Sequence, residues 1–380
     1  MINFHIISLL SPLFIAFIIA IQLASKLKRA TELPKKVLLW FIVNVFVVSA
    51  TIVLYQSGYF TAFRFFDGIY MSSMLLLHPL FYFYIKVLVT NKFKSQLYLL
   101  HFIPSIFTLI IATIFYLQLS KEEATLYLTR YIFGDASSSQ IIKHLLLLFN
   151  ITKITHAIQA VAYFIFVYKL LNKHQKTVDH IFSTSDKYRL SWLFSFNIIY
   201  SMMSLAGLIA NLIPTNIVYS TTIIIDFTMI IFSIFTLYIG IKGLDQESVG
   251  QIIHLNDEIT LGKETSSISY SKLIEKINHY IINEKAFLNP ELKIWDIVNY
   301  TGINRSYISQ TINTECMFNF SHYINKLRID EACRLLKTDS NKSIESIAFD
   351  SGFNSLSTFN RAFKKFTGLL PSEYRNQTLK

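Results

Sequence analysis

Long apolar runs alternate with short polar ones over the first 243 residues. Residues 2–24, 37–55, 69–88, 97–119, 145–171, 190–213 and 218–241 each approach or exceed the roughly 20 residues that a helix needs to cross hydrocarbon. The first run has neither a basic leading segment nor a small-residue cleavage site, which predicts a retained helix and not a signal peptide. Beyond residue 270 the pattern changes: apolar residues recur at three-four spacing between polar ones, the period of amphipathic helices around a water-facing core. The predicted chain is all-α, a seven-helix transmembrane bundle (1–243), a linker (244–269) and a helical cytoplasmic domain (270–380).

Within that last domain one punctuation occurs twice. Asp296-Ile297-Val298-Asn299-Tyr300-Thr301-Gly302-Ile303-Asn304, running into Arg305 through Ile312, predicts a short helix, a glycine turn, an Asn N-cap and a second helix. Ser346-Ile347-Ala348-Phe349-Asp350-Ser351-Gly352-Phe353-Asn354, running into Ser355 through Phe366, repeats it. In each copy Gly supplies the turn and an apolar residue, Ile303 or Phe353, plugs the junction. Ile308 with Ile312, and Phe359 with Phe363, stand four apart and face inward, which leaves Ser306, Ser309 and Gln310, and Ser357, Asn360 and Arg361, on the outer faces. Between the copies, Ser321 to Leu336 carries no breaker and reads as a connector helix of roughly 24 Å at 1.5 Å per residue. Such a rod suits two recognition helices entering successive major grooves about 34 Å apart. Tyr270 to Glu284, with Leu273, Ile274, Ile277, Tyr280 and Ile281 on one face, is expected to pack on the first helix-turn-helix.

From about Tyr270 onward the chain resembles the AraC/XylS-type helix-turn-helix transcription regulators. The resemblance rests on Ala286-Phe287-Leu288-Asn289-Pro290-Glu291-Leu292, on Ile324-Asn325-Lys326-Leu327-Arg328-Ile329-Asp330-Glu331-Ala332, and on Ser351-Gly352-Phe353-Asn354 through Phe359-Asn360-Arg361-Ala362-Phe363-Lys364-Lys365 into Gly368, Pro371 and Tyr374. It implies binding of double-stranded DNA, with base-facing positions at Ser306, Ser309, Gln310, Ser357, Asn360 and Arg361; Arg305, Lys364 and Lys365 are candidate phosphate contacts beside them. Where the family often has Arg, this chain has Gln310, which can pair with adenine. RNA polymerase and a second copy of the chain are further candidate partners. The apolar half is unlike the family's soluble sugar-binding domains and inherits no ligand from them.

Composition agrees with the bundle. Hydrophobic residues make up 52% of the chain, charged ones only 16%, and the mean hydropathy is +0.42; a lipid bilayer must solvate part of such a chain. The net charge of +11 invites a nucleic-acid explanation, but residues 244–380 hold 16 basic against 16 acidic groups, while residues 1–243 hold 19 against 8. The excess sits in alternate loops. Thirteen Lys and Arg follow the first, third and fifth runs, whereas only Arg64, Lys121, Arg130 and Lys143 lie on the other side. By the positive-inside rule the N-terminus faces outward and the C-terminal domain faces the cytoplasm of a bacterial inner membrane. Leu244 to Ile268 fits either a flexible tether with a reach of about 25 to 30 Å or a short helix pairing with a second chain.

The apolar half also holds polar residues. Asn150, Thr152, Lys153, Thr155, His156 and Gln159 interrupt the fifth run and Asp226 the seventh. Lys153 and Asp226 fall at similar depth in this topology and could pair. With His156 they either line a sensor pocket for a small-molecule or membrane stimulus or join helices. His78 and His101 read as packing residues. Cys316 and Cys333 have no metal-ligand spacing and predict small hydrophobes without a disulfide. No HExxH, phosphate-binding glycine loop, nucleophile elbow or kinase signature is present in the sequence, so no enzyme activity, metal or cofactor is expected. The favoured reading is a membrane-anchored one-component regulator; the alternative is a membrane receptor or transporter whose C-terminal helices bind a protein partner.

Overall fold

A computed structural model describes residues 4–27, 33–90, 99–129, 139–184, 188–210, 222–246, 270–339 and 341–378. Helices account for the regular structure of these residues; there is no strand among them, and one isolated antiparallel bridge joins Phe182 to Lys293. The chain divides into two compact units, Met1–Leu170 with Trp192–Gln251, and Leu171–Ser191 with Ile252–Lys380. The sequence places the boundary at residue 243, whereas the loop between the fifth and sixth runs belongs with the C-terminal unit. The expected linker lies almost wholly outside the described residues.

The first unit is built from α1 (Phe4–Lys26), α2 (Leu33–Gln56), α3 (Asp67–Thr90), α4 (Ile103–Gln118), α5 (Lys121–Thr129), the first thirty-odd residues of α6 (Gln140–Ile181), α7 (Ser191–Ala210) and α8 (Thr222–Asp245). Six described helical stretches are long and apolar enough to cross a membrane, α4 being counted with the 3-10 turn Leu99–Phe102 that leads into it. The remaining expected span is represented by α7, whose continuation at 211–213 lies outside the described residues. Large apolar side chains such as Phe14, Phe17, Ile18, Trp40, Ile106, Phe107, Ile110, Ile154 and Ile158 are exposed along these helices. Water penalises such a surface; lipid does not.

Close approach and polar clasps join these helices, the contacts that would hold apolar helices together in lipid. Gly240 of α8 leaves no room for a Cβ against Ile19 of α1, and Gly243 none against Leu38 of α2. Asn44 Nδ2 donates to the Ser73 carbonyl at 2.9 Å, joining α2 to α3. Ser105 Oγ donates to the Ser72 carbonyl at 2.9 Å, joining α4 to α3.

α6 has 42 residues, about 63 Å at 1.5 Å per residue, where the apolar run alone predicts 27. The extension has a physical cause. No Gly or Pro interrupts residues 172–181, and Leu171, His174, Val178 and Ile181, at three-four spacing, are all buried in the second unit. The chain then doubles back. Phe182 and Tyr188 stack at 4.0 Å, His174 Nε2 meets the Tyr188 carbonyl at 2.8 Å, and Arg189 pairs with Asp179 at 2.8 Å.

The rest of the second unit comprises α9 (Tyr270–Asn278), α10 (Ile294–Thr301), α11 (Arg305–Cys316), α12 (Phe320–Thr338), α13 (Ile344–Asp350), α14 (Leu356–Thr367) and α15 (Pro371–Thr378). Leu273, Ile277 and Ile281 are fully buried, with α9 packed on α10 and α11. A second core unites Ile329, Ala332 and Leu336 of α12 with Ile347, Ala348, Phe353, Phe359 and Phe363. The connector α12 is 19 residues long, about 28 Å; it exceeds its apolar pattern by one residue at the start, where Asn319 caps it by accepting from His322 N at 2.9 Å, and by two at the end, where it runs on to Thr338.

Candidate nucleic-acid interface

Each recognition helix is started and aimed by local chemistry. In the first copy, Asp296 Oδ2 accepts from Lys293 N at 2.7 Å, Gly302 ends α10 at φ 75°, and Asn304 Oδ1 caps α11 by accepting from Tyr307 N at 3.0 Å. In the second, Ser343 Oγ caps α13 from Ser346 N at 3.0 Å, Gly352 turns the chain at φ 89°, and Ser355 Oγ caps α14 from Thr358 N at 3.3 Å. Caps of this kind contribute about 1 kcal/mol each.

Ile308 and Ile312, and Phe359 and Phe363, are fully buried, as their four-residue spacing predicts. Ser306 and Gln310 are therefore exposed on α11, with Ser309 and Arg305 half-buried. On α14, Ser357, Arg361, Lys364 and Lys365 are exposed and Asn360 is half-buried. The two outer faces thus carry short hydroxyl and amide groups, which fit base edges, while the cations gather on α14. Beneath that basic cluster, burial and the nearby Lys365 hold the His322 imidazole below its ordinary pKa. Its ring stacks on Phe318 at 4.1 Å and tilts against Phe366 at 4.7 Å.

The two subdomains meet at Arg328 of α12, the largest fully buried side chain among the described residues. Nε donates to the Phe287 carbonyl and Nη2 to the Asn289 carbonyl, both at 2.7 Å. Nη2 also reaches Ser183 Oγ at 3.1 Å, and Nη1 reaches Thr184 Oγ1 at 3.3 Å. Burial lowers its pKa to about 9, with Glu291 opposing the shift, so it remains a cation at neutral pH. Gly352, in the second copy, lies against the same loop: a Cβ there would meet the Leu288 Cα and the Phe287 and Leu288 carbonyl oxygens at 2.9 Å.

Ser183 and Thr184 come from the loop after α6. Ser183 N and Oγ donate to the Leu292 carbonyl at 3.2 and 2.6 Å, and Thr184 Oγ1 donates to the Pro290 carbonyl at 2.7 Å. Ser321 Oγ returns a bond to the Ser183 carbonyl at 3.2 Å, and Phe182 sets its ring edge-on to Trp295 at 5.8 Å. The sequence alone gives Phe182, Ser183 and Thr184 no role. The buried spacing of Leu171, His174, Val178 and Ile181 is the signal that would have extended the helix toward them.

The expected sensor residues do not converge. Asp226 of α8 accepts from Ser8 and pairs with His5 Nδ1 at 2.7 Å, both on α1. Lys153 lies over the Phe149 ring at 4.3 Å, and His156 Nδ1 meets the Met74 carbonyl at 3.2 Å. The structure thus has an α1–α8 clasp in place of a Lys153–Asp226 pair, because α1 packs along α8 and brings its own hydroxyl and imidazole to the carboxylate. Sequence reading passed over Asp67, buried at the start of α3, where Tyr116 donates to it at 2.8 Å. Asp67 borders a cavity of about 50 Å³ lined also by Thr51, Tyr55, Gln56, Tyr70 and Phe149. Among the described residues no group of three or more His, Cys, Asp or Glu could hold a metal. Cys316 and Cys333 are free and half-buried.

Comparison with known proteins reaches the same third of the chain. Residues 297–377 match the family described as a helix-turn-helix domain. The raffinose operon transcriptional regulatory protein RafR of Pediococcus pentosaceus is 37% identical over 82 residues, 22% of this chain and 29% of that protein. An uncharacterised HTH-type transcriptional regulator of Staphylococcus aureus (strain MSSA476) is 30% identical over 101 residues, 27% of this chain and 13% of its own. The chain therefore spans less than a third of either curated relative. Among solved structures, the C-terminal domain of AraT, a response regulator from Geobacillus stearothermophilus, is 28% identical and matches 30% of this chain and 88% of that one, with a TM-score of 0.27. Residues 297–377 are an AraC-type helix-turn-helix domain, carried in the same chain as a set of long apolar helices.

Proposed function

We propose that this protein is a membrane-anchored one-component transcription regulator that reads double-stranded DNA through α11 and α14. The observation that carries this reading is the pair of capped recognition helices whose outer faces hold Ser306, Ser309, Gln310, Ser357, Asn360 and Arg361 around two separate buried cores. The relatives named as transcriptional regulators support it over the same residues. The six long apolar helices and the basic loops support an inner-membrane bundle with the DNA-binding unit in the cytoplasm. In this reading the bundle senses a stimulus in or outside the membrane.

The test uses the intact protein in lipid nanodiscs and duplexes that it selects from a random library. Arg361→Ala should cost about 1 to 3 kcal/mol and relax preference at one base position. Lys364→Ala should weaken all duplexes alike and make the salt slope about one unit shallower. Selection of no duplex by the intact protein would overturn the reading in favour of a C-terminal domain that docks a protein partner.

A further inference from the structure

Arg328 offers five N–H donors in a fixed fork, and its four hydrogen bonds divide evenly. Two go to the Phe287 and Asn289 carbonyls and two to the hydroxyls of Ser183 and Thr184. The loop held by the first two bonds is the one on which Gly352 rests, backbone against backbone, with no side chain to take up slack. A continuous path of contacts therefore runs from the strap Phe182–Thr184, through the guanidinium and the Phe287–Asn289 loop, to the turn that aims α14. The strap has its own stiffening in the Phe182–Tyr188 stack and the Arg189–Asp179 pair, and it continues directly from α6, a single helix that begins at Gln140.

We propose that the strap, acting through Arg328, sets the spacing of the two reading heads, so that Ser183 and Thr184 are positioning residues for DNA recognition; this rests on the DNA-binding reading above. The physical reason is the cost of a buried cation with unmet donors. With the strap in place every arm of the fork has an acceptor. With the hydroxyls removed, the fork keeps its two carbonyls but must find water or turn toward it, and the Phe287–Asn289 loop moves with it. Gly352 cannot follow by side-chain rearrangement, so the displacement passes to the second helix-turn-helix. Movement of α6 acts on the same fork from its other end.

The experiment keeps the full chain in nanodiscs. Spin labels are placed at Thr314→Cys on α11 and Leu356→Cys on α14, with Cys316→Ser and Cys333→Ala removing the native thiols, and the distance distribution is read without DNA. Ser183→Ala combined with Thr184→Ala should broaden that distribution, lower affinity for selected duplexes about tenfold, and let the protein accept more than one half-site spacing where the parent accepts one. Thr184→Ser, which retains the hydroxyl, should behave as the parent in all three. If the double variant does not accumulate, Arg328→Lys gives the same test, because an ammonium cannot reach both carbonyls and both hydroxyls at once. An unchanged distance distribution with unchanged spacing preference overturns the proposal. Failure of the parent to select any duplex would defeat the DNA-binding reading, and the label distances would still decide whether the strap sets the geometry.

Discussion

Nη2 of Arg328 donates to Oγ of Ser183 across 3.1 Å, although the two residues are 145 positions apart in the chain. A contact of that sequence separation, made by a fully buried cation, predicts a large and local energetic effect. Arg328→Met should destabilise the second unit by about 3 to 5 kcal/mol, since it strands the Phe287 and Asn289 carbonyls without donors. Lys326→Met, two residues away and paired with Asp330 on the exposed face, should cost less than about 1 kcal/mol. Urea unfolding followed by Trp295 fluorescence, with Trp40 and Trp192 replaced by Phe, measures both. Equal midpoints would remove Arg328 from the role described.

The two turn glycines should respond differently to the same substitution. Gly302→Ala, at φ 75° with open space around it, carries only the left-handed backbone penalty of about 1 to 2 kcal/mol. Gly352→Ala adds a collision with the Phe287 and Leu288 backbone, and should exceed the first by at least about 1 kcal/mol. Thermal melts of the two variants in one detergent rank them.

Asp226 and Lys153 should prove independent. Asp226→Asn weakens the clasp to His5 and Ser8 and should lower the amount of folded protein recovered from membranes. His5→Ala should do the same, and the two together should cost little more than either alone. Lys153→Met, with its ammonium over Phe149, should leave recovery near that of the parent. A double-mutant cycle with coupling between Lys153 and Asp226, and none between His5 and Asp226, would restore the pairing that the sequence suggests.

Orientation is open to a direct test. A reporter active only outside the cytoplasm should work when fused after Thr215 and stay silent when fused after Lys242, as the thirteen-to-four asymmetry of basic residues requires. The reverse pattern would place the recognition helices on the side without DNA.

The helix-turn-helix punctuation was legible because it is local: a capping Asn or Ser, a glycine and an apolar plug each act within a few residues of where they stand in the chain. The exposed faces of α11 and α14 followed from the four-residue spacing of Ile308 with Ile312 and Phe359 with Phe363. Arg328 was visible only as part of a motif, since nothing near it in sequence says that its acceptors come from residues 183, 184, 287 and 289. The partners of Asp226, His5 and Ser8, are hidden for the same reason. Depth along a helix can be read from position, but which neighbour faces a carboxylate depends on how helices pack, and the packing of α1 on α8 is not written in either helix. The apolar run of α6 ends at residue 171, and its remaining length shows only in the amphipathic spacing of Leu171, His174, Val178 and Ile181.

The strap also imposes an order on biosynthesis. Ser183 leaves the ribosome 145 residues before Arg328, which at about 5 to 20 residues per second is roughly 7 to 30 s. In the membrane-anchored reading proposed above, α7 and α8 would be inserted during that interval, before Ser183 and Thr184 meet Arg328. Translation of the final third completes the loop's hydrogen bonds. A chain truncated before α12 would therefore keep the bonds of Ser183 and Thr184 to the Leu292 and Pro290 carbonyls but lack those from Arg328 and Ser321.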